Sequence, residues 1–359
     1  MPHDLPIPAL HLDGRRIGPR EAAFVIAEIG VNHDGSVNRA IDLVKAARDA
    51  GADAIKLQLF SASRLVHRTA GLAGYQRAAG ETDQAAMLRR FELSPAEVER
   101  VVRAARDVGV VPLATPFSPE DVGQIAALDL PAIKLASPDL VNPLLLDAAA
   151  DSGRLVLAST GAADESEIAW AVDRLAARRA SFALLHCVSS YPTPDAAAHL
   201  RRVSTLRDRY DCVVGLSDHT QSEASGALAV AAGASVIEKH LTYDTTAAGP
   251  DHAASADPAS FARYVARIRE AEILLGAGVG ERVPQACEVD VRTQSRQSLV
   301  ACVTIPAGAA IERSMLTCQR PGTGISAARL DDVLGRIATR AIGAGDLLSF
   351  DDIARREAA

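Results

Sequence analysis

Eight short apolar runs that end in polar side chains recur along the chain up to residue 241. They span residues 24–30, 54–60, 110–116, 132–137, 155–160, 182–188, 213–218 and 235–241. Continuous apolar runs of this length are typical of parallel strands that helices cover. Amphipathic helical stretches lie between them, at residues 37–50, 95–108 and 165–180, and a further helix is predicted after the last run, near residues 261–275. This alternation predicts an α/β fold, a (β/α)8 TIM barrel whose strand ends carry the chemistry.

The two ends of the chain differ from this pattern. Residues 9–18 predict an N-terminal hairpin that turns at Asp13-Gly14. Residues 296–359 have short apolar runs separated by turns, which predicts a small β-rich domain that is too small to be the catalytic unit. We therefore expect a catalytic barrel over residues 1–280, a linker over 281–295 and a second domain over 296–359.

The insertion at residues 61–94, between the second strand and its helix, is long and polar. Long loops on this side of a barrel usually shape access of the substrate, which is the role that we expect here.

Composition excludes several classes of protein. The net charge is −7 and there is no long basic run, so nucleic acid is not an expected partner. No apolar stretch approaches the roughly 20 residues of a membrane span. The five cysteines lack C-x-x-C spacing, and no secretory pattern follows Met1, so we expect free thiols in the cytoplasm.

Two histidines, His219 and His240, end adjacent predicted strands. Converging imidazoles suit a divalent ion such as Mn or Zn. Alternatively, each histidine is simply a satisfied polar residue at a strand end. The neighbouring carboxylates Asp218 and Glu238 favour the metal site, where they would orient the imidazoles.

Three charged residues interrupt apolar strands, namely Glu28, Lys56 and Lys134. Glu28 is either catalytic or paired with one of the lysines, and the two roles are compatible. The lysines predict either a Schiff-base nucleophile or a cradle for a phosphate or carboxylate group. Hydroxyls at strand ends favour the cradle: Thr115, Ser137, Ser159, Thr160 and Ser217.

Two residues beyond the sixth strand have other expected roles. Cys187 follows His186 directly, and neighbours on a strand point to opposite faces, so a Cys–His nucleophile is disfavoured and Cys187 is interpreted as packing. Tyr191 lies in a rigid loop, Tyr191-Pro-Thr-Pro194, where it either contacts a substrate or caps the barrel.

Several motifs, in order, resemble the sialic acid synthase family of nonulosonate synthases. They are Ala27-Glu-Ile-Gly-Val-Asn-His33, Thr115-Pro-Phe-Ser118, Ser159-Thr-Gly161, His186-Cys187 with Tyr191-Pro-Thr-Pro194, Gly215-Leu-Ser-Asp-His-Thr220, Glu238-Lys-His240 and Gly249-Pro-Asp-His252. The tail, with Gln319-Arg-Pro-Gly-Thr-Gly-Ile325, resembles the SAF (antifreeze-like) domain of that family. Together they cover nearly the whole chain.

This resemblance implies condensation of phosphoenolpyruvate with an open-chain 2-acetamido sugar, with release of phosphate. It implies that His219 and His240 bind a divalent metal, Mn or Mg, and that Glu28 acts in catalysis beside them. Arg320 would reach the site of the partner in a domain-swapped homodimer. The substrate-binding residues would be Lys56, Gln58, Thr115, Lys134, Ser137, Ser159, Tyr191, Ser217, Asp251 and Arg320.

Alternative functions remain open at this point. They are another phosphoenolpyruvate–aldose synthase, a Schiff-base pyruvate aldolase, and a binding protein for sugar acids or ice. The second domain argues against the first, and the histidine pair against the second. The charged and histidine residues at the strand ends argue against a barrel that only binds sugar acids, and the lack of a regular Thr-rich repeat in residues 296–359 argues against ice binding. The sugar is also open, because the motifs mix features of several branches: N-acetylmannosamine and a 2,4-diacetamido trideoxyhexose both fit.

Overall fold

The structure is a computed structural model that describes residues 7–67, 69–78, 80–276 and 281–354. The chain divides between Gly278 and Val279 into two compact units. The first unit carries the barrel, and the second is the small C-terminal domain.

A hairpin opens the first unit, as predicted. Strands β1 (Leu10–Leu12) and β2 (Arg15–Ile17) pair in antiparallel fashion around Asp13-Gly14. Leu12 and Ile17 are fully buried in one cluster with inward-facing residues from the amino-terminal halves of the barrel strands. The hairpin therefore closes the end of the barrel opposite the predicted site.

Eight parallel strands form a closed barrel, which confirms the predicted TIM barrel. They are β3 (Phe24–Glu28), β4 (Ala54–Leu59), β5 (Val111–Pro116), β6 (Ala132–Leu135), β7 (Leu155–Ser159), β8 (Phe182–Cys187), β9 (Val213–Asp218) and β10 (Val236–His240). Each lies inside a predicted strand. The barrel closes through β10, which pairs with both β9 and β3.

Helices follow the strands, and those that lie outside residues 61–94 cover the outer surface of the barrel. The helices that follow the strands are α1 (Val37–Asp49), α2 (Ala62–Leu65), α3 (Gly74–Ala78), α4 (Gln84–Phe91), α5 (Pro95–Asp107), α6 (Pro119–Ala127), α7 (Pro143–Asp151), α8 (Glu165–Ala177), α9 (Arg202–Tyr210), α10 (Ser225–Ala231) and α11 (Pro258–Leu275). Local sequence sets their ends. Ser94 and Glu97 form a capping box at the start of α5, and Gly109 (φ 77°) reverses the chain after its last turn.

The insertion at 61–94 is not an irregular loop, because α2, α3 and α4 lie within it. Its residues Met87 and Phe91 are buried against Val31, which follows β3. The insertion is therefore a wall of the barrel mouth.

The second unit has its own apolar core, which includes Leu299, Ile311, Val333 and Leu348. Its regular strands among the described residues are β11 (Ser298–Ala301) and β12 (Leu316–Gln319), supplemented by isolated bridges. Helix α12 (Val289–Ser295) lies in the predicted linker. The domain boundaries at 280 and 295 stay a prediction. Among the described helices of the chain, each is too short or too polar to cross a bilayer.

Candidate active site

A cavity of about 380 Å³ opens at the carboxyl ends of the barrel strands. Its lining brings together most of the predicted site residues: Lys56, Gln58, Thr115, Lys134, Ser137, Ser159, Tyr191, Ser217, His219, His240 and Asp251. Glu28 lies directly beside them, hydrogen-bonded to Gln58. A barrel delivers these residues to one point because its parallel strands all end on the same face.

Glu28 and Lys56 form a buried ion pair between β3 and β4. Gln58 Nε2 donates to Glu28 Oε1 at 3.2 Å, and Lys56 Nζ donates to Thr115 Oγ1 at 2.6 Å. Burial raises the pKa of Glu28, although Lys56 opposes this effect. Burial disfavours the charge on Lys56, but Glu238 and Glu28 outweigh it and raise its pKa. Lys56 is therefore held as an ammonium.

Lys134 lies on β6 near a second buried carboxylate, Glu238. Its Nζ is 3.7 Å from Glu238 Oε1 and donates to the Leu135 carbonyl at 3.1 Å. Burial lowers the pKa of Lys134, although Glu238 opposes the shift. The same Glu238 oxygen accepts from Ser217 Oγ at 3.1 Å.

Two buried oxygens of this cluster, Glu238 Oε2 and Ser159 Oγ, lack a hydrogen-bond partner among the described residues. A buried polar atom without a partner is costly, so such atoms mark places for a ligand or water. The cavity is thus built to accept a polar molecule.

Glu238 belongs to this cluster, although the sequence predicted for it only a role in orienting the imidazoles. The two-residue spacing between Glu238 and His240 could have predicted this position. Residues two apart on a strand share a face, so Glu238 points into the barrel with His240. Asp218 instead faces the helices, where it pairs with Lys239 at 2.9 Å and accepts from Tyr264.

The rings of His219 and His240 have centroids 5.4 Å apart, and Tyr191 lies 4.1 Å from the His219 ring. His219 Nδ1 is 3.0 Å from the Val188 carbonyl, which only accepts. Nδ1 therefore carries a proton, and in the neutral ring Nε2 keeps a lone pair that can bind a metal.

His240 is buried, and its Nδ1 has no hydrogen-bond partner within the described part of the chain. Burial, reinforced by the nearby positive charge of Lys56, holds the pKa of His240 well below its ordinary value. A neutral imidazole with an unused nitrogen is what a divalent metal requires. In the described ranges, three or more His, Cys, Asp or Glu side chains do not cluster in a way that could hold a metal. The two imidazoles would need a substrate or water to complete the coordination.

His186 and Cys187 point to opposite sides of β8, as predicted. His186 Nε2 contacts the Ala198 carbonyl at 2.7 Å, outside the barrel. Cys187, interpreted above as packing, is buried inside with its Sγ 3.8 Å from His219 Nδ1.

Three other predicted residues have different positions. Asp251 is buried, which raises its pKa, and its Oδ2 is 3.7 Å from His240 Nδ1. Thr160 is outside the cavity lining and donates to the Leu185 carbonyl at 3.1 Å. Arg320 is exposed in the second unit, directly after β12, and its role stays a prediction.

Comparison with known proteins relates this site to one family. Residues 43–280 match the NeuB family and residues 296–354 match the SAF domain. The chain is 35% identical over 343 residues to the N,N'-diacetyllegionaminic acid synthase of Legionella pneumophila, which covers 94% of this chain and 96% of that protein. It is 29% identical over 333 residues to a pseudaminic acid synthase of Campylobacter jejuni, covering 92% and 96%.

A solved structure agrees with this relationship. The N-acetylneuraminic acid synthetase of Leptospira borgpetersenii is 34% identical and matches with a TM-score of 0.73, covering 80% of this chain and 96% of that one. The resemblance to sialic acid synthases drawn from the motifs is therefore confirmed. This chain belongs to the NeuB family and carries a SAF domain at its carboxyl end.

Proposed function

We propose that this protein is a nonulosonic acid synthase that condenses phosphoenolpyruvate with an open-chain 2-acetamido sugar and releases phosphate. The observation that carries the proposal is the meeting of two buried lysines, several hydroxyls and two imidazoles in one cavity. Its relatives are named as synthases of N,N'-diacetyllegionaminic, pseudaminic and N-acetylneuraminic acids, which supports the same reaction class.

Phosphoenolpyruvate would bind among Lys56, Lys134 and the neighbouring hydroxyls of Thr115, Ser159 and Ser217. Its phosphate and carboxylate groups offer several acceptor oxygens, and the site supplies charged and neutral donors for them. Lys56 is already ion-paired with Glu28 and hydrogen-bonded to Thr115, so it is oriented before the ligand arrives. The unpartnered Ser159 hydroxyl would gain a partner on binding.

The sugar would bind beside His219, His240, Tyr191 and Asp251. A divalent metal, Mn or Mg, held by the two imidazoles would polarise the aldehyde oxygen as a Lewis acid. The double bond between carbons 2 and 3 of phosphoenolpyruvate supplies the electron pair for a new bond from carbon 3 to the aldehyde carbon, and the aldehyde oxygen takes up a proton and becomes a hydroxyl. Water then adds at carbon 2 and loses a proton. The resulting tetrahedral centre expels phosphate by breaking its carbon–oxygen bond, which leaves a keto group at carbon 2. Glu28, with its pKa raised by burial, is suited to hold or move a proton in these steps.

The test is release of phosphate from phosphoenolpyruvate in the presence of Mn or Mg. N-acetylmannosamine and a 2,4-diacetamido trideoxyhexose are supplied separately, with EDTA as a control. Metal-dependent release with either sugar supports the proposal. Absence of release with both, or trapping of pyruvate on a lysine by borohydride, contradicts it and favours binding alone or a Schiff-base aldolase.

We further propose a cytoplasmic, domain-swapped homodimer in which Arg320 completes the partner's site. A mixture of Arg320→Ala and His240→Ala subunits tests this. If Arg320 acts across the dimer, a mixed dimer contains one site with both residues intact and regains activity that neither variant has alone. If Arg320 acts within its own subunit, every site of the mixed dimer lacks one residue and stays inactive.

A further inference from the structure

The two imidazoles that would hold the metal have unequal backbone support. His240 is the last residue of β10 and is paired with Glu28 of β3, so the sheet fixes its position. His219 lies one residue beyond the end of β9, where the regular pairing of β9 with β10 ends at Asp218 and Lys239. The spacing of the two rings therefore depends on the contacts that hold the chain after β9.

Asp218 and Lys239 hold this segment from two sides. Asp218 Oδ1 accepts from the Thr220 N–H at 2.9 Å, and Lys239 Nζ donates to the Thr220 carbonyl at 2.6 Å. Lys239 Nζ also donates to Asp218 Oδ2 at 2.9 Å. The ion pair thus binds both backbone groups of Thr220, which follows His219, and ties them to β10 next to His240.

The environment of the ion pair favours a fixed geometry. The exposed fraction of Asp218 is 2% and that of Lys239 is 4%. Asp218 Oδ2 also accepts from Ser225 Oγ at 2.6 Å and from Tyr264 Oη at 2.9 Å. Apolar residues of similar volume often stabilise a fold as well as a buried ion pair does, so stability alone is weak grounds for this network. A buried polar network with its partners in place makes its surroundings rigid.

The ion pair acts from outside the cavity. Asp218 and Lys239 do not line the cavity, and strand alternation places Lys239 on the helix side of β10 while His240 faces inward. The Thr193 N–H donates to the His219 carbonyl at 2.8 Å, which holds the segment to the loop after β8. The ion pair holds the same segment to β10. Its effect on the reaction must therefore pass through the imidazoles.

We propose that Asp218 and Lys239 are positioning residues that set the spacing of His219 and His240 and thereby the affinity of the site for a divalent metal. The inference rests on the proposed synthase function and deepens it, because it adds two residues that contact neither the cavity nor the imidazoles. Residues that orient metal-bound histidines typically change metal affinity by about tenfold to a hundredfold, which is the range expected here.

The test is binding of Mn to the full-length, metal-free enzyme without substrate, measured by electron paramagnetic resonance of the unbound ion. The double variant Asp218→Asn with Lys239→Met removes both charges, so that no unpaired charge stays buried. Its dissociation constant for Mn should rise by about tenfold to a hundredfold. The Mn concentration for half-maximal phosphate release should rise by the same factor, whereas the KM for phosphoenolpyruvate should stay unchanged.

A single substitution covers the case in which the double variant does not fold. Asp218→Asn preserves the shape of the side chain and weakens the tie to Lys239, so its dissociation constant for Mn should rise about tenfold. An unchanged dissociation constant in this folded variant would overturn the inference.

Two controls separate positioning from general loss of stability. Arg269 donates to Asp53 Oδ2 at 2.9 Å at the opposite end of the barrel, so Arg269→Met perturbs the fold far from the histidines. Tyr264→Phe removes one donor to Asp218 but keeps the ion pair and both bonds to Thr220. Both variants should bind Mn as the wild type does.

The outcomes for the inference and for the function are distinct. Wild-type affinity for Mn in the folded double variant, or an equal weakening in Arg269→Met, would overturn the positioning role. Wild-type enzyme that fails to bind Mn would overturn it as well. Wild-type enzyme that binds Mn but releases no phosphate with either sugar would contradict the synthase function alone, because Mn binding is measured without substrate.

Discussion

Protonation of His33 should destabilise the barrel at mildly acidic pH. His33 is 2% exposed, just beyond β3, and its Nδ1 accepts from the Gly35 N–H at 3.1 Å. A ring nitrogen that accepts a hydrogen bond cannot also carry a proton. Burial is the main cause that lowers the pKa of His33 from 6.5 to about 4, although Asp34 opposes it.

The direction of the effect follows from the two pKa values. In the unfolded chain His33 takes up a proton near its ordinary pKa of 6.5, whereas in the folded chain its pKa is about 4. Between these values the unfolded state binds more protons, so the free energy of unfolding falls as the pH falls. This loss of unfolding free energy is absent well above pH 6.5 and is complete below pH 4. Between pH 8 and pH 5 the loss amounts to about 2 kcal/mol.

The substitution His33→Asn isolates this contribution. The side-chain oxygen of asparagine can accept from the Gly35 N–H in place of Nδ1, but it does not titrate in this range. Urea unfolding at pH 8 and pH 5 should show that the wild type loses about 2 kcal/mol more than the variant. His11→Asn, at an exposed position of the hairpin, should behave as the wild type does. Equal losses in wild type and His33→Asn would refute the reasoning, whatever the offset between them at pH 8.

Two further substitutions probe networks around the site. Asp34 accepts from His252 at 3.0 Å, and His252 is the neighbour of Asp251, so Asp34→Asn should raise the KM for the sugar about tenfold and leave that for phosphoenolpyruvate unchanged. Steady-state kinetics would contradict this if both KM values rose together. Lys239→Met leaves Asp218 buried without its cation and should cost about 3 kcal/mol in urea unfolding. The exposed control Lys45→Met should change stability little, and an equal loss there would refute the assignment.

The barrel was predictable from the sequence because its strands are apolar on both faces. All eight observed strands lie within the predicted runs, and the differences are confined to their ends. The insertion was harder to predict. Helices α2, α3 and α4 are short. The packing of Met87 and Phe91 on Val31, which is distant in sequence, stabilises α4. Short helices of this kind depend on tertiary packing more than on local propensity.

The site was predictable as a set of residues but not as a set of contacts. Lysine in a strand indicated an anion cradle or an ion pair. In the structure Lys56 pairs with Glu28, and Lys134 lies near Glu238. Which carboxylate pairs with which lysine depends on the register of neighbouring strands. Register across the closing strand, where Lys239 lies opposite Asp218, is a property of the closed barrel and is absent from local sequence patterns.

Strand alternation explains why the same few strands provide both the core and the chemistry. In β10 the inward residues are Val236, Glu238 and His240, so the interior column begins apolar and ends polar. The intervening Ile237 packs under the helices, and Lys239 meets Asp218 there. The amino-terminal halves of the strands thus stabilise the barrel while their carboxyl ends carry the site. A one-residue slip in β10 would place Lys239 inside and Glu238 outside, so the apolar packing that fixes the register also fixes which side chains can act.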